Sequence, residues 1–322
     1  MFSKPFKTID DQILILQNRG LIIEDTDLAE VYKYLLTNNY YNIINGYSKP
    51  FLTNDGKYVA NATFREVQHL YLFDWELKQA FFSAALTIEH HLKSILAYRF
   101  AEMFTNDYEA YLDVRSYDHK KSLSIAYLIT KINNIIRRNK RYPNNPIHHY
   151  SVKHSQVPIW VVIDFIDFGD LVALITSLPK SLQNTIAKDL ISFIKDNDPA
   201  FSGPFPPETM ISFVKNIHEI RNVCAHNSRL IYFKCRSDSV YFPPLHKRYE
   251  IKDNDKRRDV YSCFISMQYF LSKAEYARLH NTVKKRFVSL NNHLQSVNIT
   301  TIEELLGFPN NWYTHPKLPQ GE

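Results

Sequence analysis

Three polar residues, Arg221, Asn222 and His226, lie close together in the segment EIRNVCAHNSRL. A guanidinium stays charged and can hold a phosphate through two parallel hydrogen bonds. An imidazole changes its charge near neutral pH and can therefore transfer protons. These groups are suited to phosphodiester chemistry, although R-x4-H spacing alone is a weak signal in a chain with 13 histidines.

Helix geometry limits how these residues can act together. On an ideal helix, a five-residue spacing separates Arg221 and His226 by about 140° around the axis and about 7.5 Å along it. Their joint action then requires a distorted helix end, or a second copy of the site facing the first. Asn222 and His226 are four residues apart and share a face, so Asn222 is a candidate to orient the imidazole. Asn227 and Ser228 are expected to end the helix.

The elements that carry these residues are predicted to be mainly α-helical. Apolar residues recur every three or four positions from Thr63 to about Met103, and Thr63 with Glu66 forms a capping box. One long helix, or two joined by a kink near Ser83, fits this pattern. Further helices are predicted at 27–38, 118–142, 182–194, from about Glu208 through the motif, at 257–272 and at 273–294.

Three segments need separate interpretation. The tyrosine-rich stretch after Asn38 is predicted to be a turn. IWVVIDFI, from Ile159, resembles a buried strand in isolation, but its helical flanks favour a helix. LIYFKC and SVYFPP, within 229–244, fit either a short strand pair or extended chain. We expect residues 1–60 to be an N-terminal helical extension and 61–322 to form the helical body with the R-x4-H motif.

Composition excludes several classes of protein. The chain has only 7 glycines and contains neither GxGxxG nor GxxxxGK[ST], which argues against glycine-rich nucleotide loops. Its three cysteines have no zinc-site spacing, which favours a reducing compartment. The longest apolar run, 157–168, is interrupted by Asp164 and Asp167 and is too short to span a bilayer. We therefore expect a cytoplasmic protein with no membrane association.

Basic residues are clustered, although the formal net charge is only +6. Such runs are either solvated helix faces or surfaces that contact phosphates. The residues that we take as candidates for phosphate contact are Arg137, Arg138, Lys140, Arg141, Lys256, Arg257 and Arg258.

A metal centre is not predicted. His90–His91 and His148–His149 are adjacent pairs, and neighbouring residues on a helix diverge by about 100°. His218 and His226 could share a face, but no carboxylate completes an HExxH pattern. No cofactor is expected.

Several stretches together resemble one known family. They are KPFKTIDDQILILQNRGLII, NNYYNIINGY, LYLFDWELKQAFFSAALTIEHHLKSILAY, PIWVVIDFIDFGDL, IRNVCAHNSRL and LLGFPNNW, in this order from residue 4 to 312. In this order, the stretches resemble those of the Abi-like family of bacterial abortive-infection proteins, in which a HEPN-type helical domain carries an R-x4-6-H signature. The implied fold is a HEPN-type helical bundle with additional N-terminal and C-terminal helices.

The resemblance implies a metal-independent endoribonuclease of phage defence or of a toxin-like system. Arg221, Asn222 and His226 match the signature and would be the catalytic residues. Glu89 and Lys93 resemble a secondary E-x3-K element, for which an exposed salt bridge is the alternative. The family's composite site implies a homodimer, with the RNA 2′-hydroxyl as nucleophile and a 2′,3′-cyclic phosphate and a 5′-hydroxyl as products.

Two other functions remain open. The resemblance also covers non-catalytic RNA-binding proteins on the same scaffold, which associate with a small structured RNA. The basic clusters suit such a partner, because single-stranded RNA is held by phosphate contacts and by stacking. A third reading is a toxin that is neutralised by a partner protein.

Overall fold

Helices form the secondary structure of this chain in a computed structural model that describes residues 6–314. Within this range no strand forms, and two isolated bridges join Ile22 to Thr63 and Leu52 to Tyr58. Residues 4 and 5 of the first family-like stretch, and the ends of the predicted domain ranges, lie outside the described residues. The helices are α1 Ile9–Asn18, α2 Leu28–Asn38, α3 Tyr40–Tyr47, α4 Phe64–Met103, α5 Ser122–Asn139, α6 Pro146–Lys153, α7 Ile159–Val162, α8 Phe168–Ser177, α9 Lys180–Asp189, α10 Ile191–Asn197, α11 Pro207–Ala225, α12 Pro243–His246, α13 Val260–Met267, α14 Lys273–Asn291 and α15 Ile299–Leu306.

The chain divides into two compact units. The first unit contains the described residues up to Ala80, the segment Val223–Phe233 and the described residues from Leu279 onward. The second unit contains Phe81–Asn222 and Lys234–Arg278. The division falls within α4, α11 and α14.

The first unit is organised around the N-terminal half of α4. Thr63 and Glu66 form the predicted capping box: the Glu66 amide donates to Thr63 Oγ1 at 3.2 Å and the Thr63 amide donates to Glu66 Oε2 at 3.0 Å. The other oxygen of Glu66 accepts hydrogen bonds from the amides of Gln295 and Ser296. One carboxylate, only 1% exposed, therefore joins the start of α4 to the segment after α14.

The second unit buries the remainder of α4 and a group of aromatic rings. Phe205 lies at the centre of this group, with ring centroids 5.4 Å from Tyr269 and 5.7 Å from Phe242. On α4, the buried stripe continues through Phe81, Ala85, Ile88, Leu92 and Leu96. The helix is unbroken at Ser83, so the single-helix alternative is the correct one.

The helical predictions are confirmed for most segments, including IWVVIDFI, where α7 is followed by a 3₁₀ turn at Ile163–Phe165. The predicted turn after Asn38 is wrong, because Asn39 caps a helix there by accepting from the Tyr41 amide at 3.0 Å. The single helix predicted at 182–194 is two helices, α9 and α10, which meet at the buried residue Leu190. Segment 229–244 forms no strand pair and is extended or irregular up to α12.

No helix among residues 6–314 is a candidate membrane span. None of the helices in that range is both long enough and apolar enough to cross a bilayer.

Candidate active site

Helix α11 presents the first two residues of the motif. It begins at Pro207, whose missing N–H costs nothing in the first turn. Its buried stripe, which includes Met210, Val214 and Ile217, is at most 1% exposed and fixes the helix in the second unit. Arg221 follows this stripe at the end of the helix and is half-buried, as is Asn222.

The hydrogen-bond donors of the Arg221 guanidinium are only partly paired with acceptors. Its Nη1 donates to Asn222 Oδ1 at 3.2 Å, and its Cζ lies 5.7 Å from the ring centroid of Phe82 on α4. Its Nε is buried and has no hydrogen-bond partner among residues 6–314. A buried donor without an acceptor costs about 1–3 kcal/mol, so this nitrogen would gain from any rearrangement that brings an acceptor to it.

Asn222 connects Arg221 to a histidine other than the one predicted. Its Nδ2 lies 2.9 Å from His218 Nε2, one helical turn earlier. The sequence suggested that Asn222 orients His226; the structure assigns its amide to His218. The reason is that α11 ends at Ala225, so only the pair 218 and 222 keeps the helical i,i+4 relation.

His218 is held in its neutral form. Because Asn222 Oδ1 accepts from Arg221, the amide nitrogen is the atom that donates to His218 Nε2, and the imidazole proton is then on Nδ1. Burial lowers the pKa of His218 below its ordinary value, and the nearby Arg221 charge lowers it further. Asp167, Glu219 and Glu89 act in the opposite direction but do not reverse the shift.

The Phe-Gly segment at the start of α8 closes over His218. A Cβ on Gly169 would lie 3.3 Å from His218 Nε2 and 3.3 Å from Asp167 Oδ1. The Phe168 ring meets the imidazole edge-on, with centroids 5.4 Å apart. A side chain at 169 would therefore be tight, and Asp167 or His218 would have to shift by a few tenths of an ångström to admit it.

Glu89 and Lys93 pair on α4, with 2.9 Å between Oε1 and Nζ. The pair is not the exposed bridge of the alternative reading, since the two residues are 8% and 9% exposed. Oε2 of Glu89 is buried without a hydrogen-bond partner in the described part of the chain. Glu89 also acts electrostatically on His218, so the two elements are within range of each other. We call Glu89, Lys93, His218, Arg221 and Asn222 the arginine cluster.

His226 lies beyond the last helical residue. The Ser228 amide donates to the Val223 carbonyl at 3.0 Å and the Asn227 amide donates to the Cys224 carbonyl at 3.2 Å, while Asn227 has a φ of 52°. These bonds form a Schellman ending with Asn227 in the left-handed position, which confirms the predicted helix end. His226 is exposed and makes no hydrogen bond with the described residues. Its imidazole is therefore open to a ligand.

A buried ion pair that the sequence analysis missed holds the segment after His226. Asp74 Oδ1 accepts from the amides of Leu230 and Ile231, both at 3.0 Å. Its Oδ2 accepts from Tyr47 Oη at 2.7 Å and lies 3.2 Å from Lys78 Nζ. The exposed fractions of Asp74 and Lys78 are 0% and 2%.

Lys78 extends this network to the helix end, since its Nζ donates to Asn227 Oδ1 at 2.7 Å. On α4, Asp74 and Lys78 are four residues apart and lie among the buried positions Leu70, Leu77 and Phe81. Two charges within an apolar stripe were the sequence signal that could have revealed the pair.

The predicted basic residues separate into two groups. Those after the middle of α5 are exposed and form no ion pair within residues 6–314; these are Arg137, Arg138, Lys140 and Arg141. Lys256 and Arg258 are also exposed, and Lys256 Nζ lies 3.8 Å from Asp238.

Arg257 has a structural role instead. It is 9% exposed and donates to the carbonyls of Ser239, Lys252, Asp253 and Asp255. Its guanidinium is used to close a loop, so we leave it out of the phosphate-contacting surface.

Side chains that could bind a metal ion do not cluster in the described part of the chain. Among residues 6–314, no three His, Cys, Asp or Glu residues converge to hold a metal ion. Of the paired histidines, His91 is occupied by the Phe270 carbonyl, 2.9 Å from its Nδ1, and by Glu275, 3.5 Å from its Nε2.

Comparison with known proteins gives one result. The family model described as Abi-like protein matches residues 33–232, which are 200 of the 322 residues and include all of the arginine cluster, Asp74, Lys78 and His226. No curated protein and no solved structure matches the chain. The chain therefore belongs to the Abi-like protein family.

Proposed function

We propose that this protein is a metal-independent endoribonuclease that acts in abortive infection or in a related toxin-like growth arrest. Membership of the Abi-like family indicates the abortive-infection role. The observation that carries the nuclease assignment is the half-buried guanidinium of Arg221, which makes one hydrogen bond among the described residues, from Nη1 to Asn222. A phosphate oxygen is the acceptor that an arginine in this state binds best.

The chemistry needs no protein nucleophile, because RNA supplies its own 2′-hydroxyl. One imidazole of His226 removes the hydroxyl proton as the 2′-oxygen attacks phosphorus, and a second, protonated imidazole donates a proton to the departing 5′-oxygen. Arg221 binds the non-bridging oxygens, whose charge grows in the transition state. The products are a 2′,3′-cyclic phosphate and a 5′-hydroxyl.

Two histidines acting in one reaction imply two chains. The motif supplies one His226 per chain, so we propose a homodimer in which both subunits contribute an arginine and a histidine. Asn222 keeps Arg221 in place through the 3.2 Å hydrogen bond. Glu89 and Lys93 support the same surface from α4. The HEPN-type bundle suggested by sequence resemblance is part of this proposal.

The exposed basic end of α5 is the surface on which we propose that the RNA strand rests. Arg137, Arg138, Lys140 and Arg141 are free of ion pairs within the described range and can take phosphates at little cost. Tyr142, 55% exposed, adds a ring on which a base can stack.

The test is RNA cleavage by purified protein in excess EDTA. The expected result is cleavage with 2′,3′-cyclic phosphate ends, lost in Arg221→Ala and in His226→Ala. His154→Ala is the matched control, since His154 is also an exposed histidine on the turn after a helix. Cleavage that survives in His226→Ala, or that occurs only with added metal, would contradict the mechanism.

A mixing experiment tests the shared site. Arg221→Ala and His226→Ala chains are each expected to be inactive alone, whereas a mixed dimer retains one intact arginine and one intact histidine. Because one histidine can serve only one of the two proton transfers, the rate on mixing should stay far below that of the wild type, yet exceed that of either variant alone, if the two chains complete one site. Recovery with both substitutions placed in the same chain of a linked dimer, but not on mixing, would argue for sites contained within single chains.

A non-catalytic RNA-binding protein is the second candidate, and the basic end of α5 is the observation that favours it. In that case the protein would retain a small structured RNA without cleaving it at any protein concentration. Substituting Arg137 and Arg138 by Ser would then release the RNA, whereas Arg221→Ala would leave retention unchanged.

A further inference from the structure

A surface cavity of about 670 Å³ lies in the second unit between α4 and the 159–165 segment. Its floor consists of small side chains one to two helical turns apart on α4, among them Ser94, Ala97 and Ala101. Its walls are the aromatic residues Tyr98 and Trp160. The volume is within the usual range for small-molecule sites.

The two aromatic walls are unusually exposed for their size. Trp160 is 43% exposed and Tyr98 is 64% exposed. Trp160 contacts Tyr108 edge-on, with ring centroids 5.8 Å apart and planes at 80°. A large apolar ring held in this way at the edge of a cavity gains by covering its face with another flat ring.

The charges of the cavity exclude a phosphate as its occupant. No lysine or arginine is among the residues that line it in the described part of the chain. Of its two carboxylates, Glu102 is paired with Arg99, with 2.7 Å between Oε2 and Nη1. Asp164 is exposed and forms no ion pair or hydrogen bond within residues 6–314. The free carboxylate calls for a ligand with N–H donors.

The cavity and the arginine cluster share two elements of the second unit. On α4, the lining residue His90 directly follows Glu89. The segment that contributes Trp160, Ile163 and Asp164 to the lining is followed by Gly169, at which an added Cβ would lie 3.3 Å from His218 Nε2. The same two elements therefore carry residues of both sites.

We propose that the cavity binds a guanine base of the RNA substrate, with the base stacked on Trp160 and Asp164 accepting its N1–H and amino N–H. Guanine has two adjacent N–H donors on its Watson–Crick edge, which match the two oxygens of a carboxylate. Adenine and cytosine place an acceptor nitrogen beside their amino group, and uracil offers one N–H between two carbonyls. This inference rests on the proposed function, since it makes the cavity a specificity site for the strand that Arg221 holds.

A helix of a second chain is the competing occupant of such a groove. It would bury the unpaired Asp164 carboxylate against apolar side chains, and an uncompensated buried charge is strongly unfavourable. The arrangement of one free carboxylate beside an open aromatic face favours the base.

The experiment is calorimetric titration of the full-length protein, in EDTA, with the 5′-monophosphates of guanosine, adenosine, cytidine and uridine. The phosphate is common to the four probes, so differences between them report on the base. GMP is expected to bind most tightly. Trp160→Ala should weaken GMP binding about five- to 150-fold, and Asp164→Asn should weaken it at least about fivefold and remove the preference for guanine.

Two control variants match these substitutions. Trp75 is also 43% exposed but lies outside the cavity, so Trp75→Ala should leave GMP binding unchanged. Asp196 is an exposed carboxylate away from the cavity, so Asp196→Asn should do the same.

Three results would overturn the inference: equal binding of all four nucleotides, GMP binding that survives Trp160→Ala and Asp164→Asn, or a change of oligomeric state in Trp160→Ala without any nucleotide binding. None of these readouts depends on RNA cleavage. A protein that cleaves RNA but binds no GMP in the cavity refutes the inference alone. One that binds GMP as described but never cleaves RNA refutes the nuclease proposal and leaves the base site in place.

Discussion

Substitution of Asp74 by asparagine tests the buried ion pair that holds the segment after the motif. The change preserves the shape of the side chain but replaces one oxygen by an NH₂ group and removes the charge. Asp74 accepts two backbone amides at 3.0 Å and the Tyr47 hydroxyl at 2.7 Å, and it lies 3.2 Å from the Lys78 ammonium. The amide nitrogen of asparagine can accept none of these bonds.

The expected loss of stability follows from the burial of Lys78, which is 2% exposed. Breaking a buried pair by removal of one partner costs about 3–5 kcal/mol, because the other charge remains buried. Lys78 keeps its 2.7 Å hydrogen bond to Asn227 Oδ1, which favours the lower end of that range. We therefore expect Asp74→Asn to lower the free energy of unfolding by about 3 kcal/mol.

The assay is urea unfolding followed by circular dichroism, with two comparison variants. Asp74→Asn/Lys78→Met removes both charges and should be about 2 kcal/mol more stable than Asp74→Asn alone, because no unpaired charge is left. Arg65→Gln, on the same helix as Asp74, breaks a pair with Asp27, but the Arg65 side chain is 64% exposed, so its cost should be far smaller than that of Asp74→Asn. If Asp74→Asn costs no more than Arg65→Gln, or if the double variant is the least stable, the reasoning about the buried charge fails.

Three further predictions follow from close contacts and buried histidines. Gly169→Ala would place a Cβ 3.3 Å from His218 Nε2, so the imidazole must shift by a few tenths of an ångström and any RNA cleavage should fall; a cleavage rate equal to that of the wild type would show that the position of His218 does not matter. His246 is fully buried, and burial lowers its pKa from 6.5 to about 4, so the folded state favours its neutral form. The contribution of His246 to the free energy of unfolding is therefore fully present above pH 6.5 and falls by on the order of 3 kcal/mol as the pH drops towards 4. His246→Asn should reduce this loss in pH-dependent unfolding, and an unchanged pH profile would exclude His246 as its source. Asn227→Ala should be less stable than Asn227→Gly, because only glycine adopts the left-handed backbone freely, while both lose the hydrogen bond from Lys78; equal melting temperatures would show that the φ of 52° is not strained for alanine.

Structural features that depend only on residues close together in the sequence could be predicted from it. The 40-residue helix α4 follows from its apolar periodicity, and its start follows from the Thr63–Glu66 capping box. The end of α11 was predicted from Asn227 and Ser228 because polar residues that stop a helix act through local hydrogen bonds. The order of the family-like stretches identified the Abi-like family, which the family comparison confirms.

Side-chain partners distant in sequence could not be predicted in this way. Asn39 could have been identified as a cap, but the tyrosines that follow it form a helix only because Ile43, Ile44 and Tyr47 find a buried face. Whether Glu89 and Lys93 are exposed or buried is not encoded in their spacing of four, since both environments give the same ion pair.

The sequence by itself determined most of the helices, the cap of α4, the end of α11 and the residue types of the candidate site, because hydrogen bonds and periodicity within a few residues fix these features. Only the tertiary structure decided that Asn222 binds His218, that Arg257 closes a loop and that Asp74 holds amides at positions 230 and 231. The physical reason is that the free energy of a polar group depends on its burial and on its partner. For Asp74 those partners come from outside its own helical turn, for Arg257 they are the carbonyls of the loop that it closes, and for Asn222 the end of the helix removes one of two candidates.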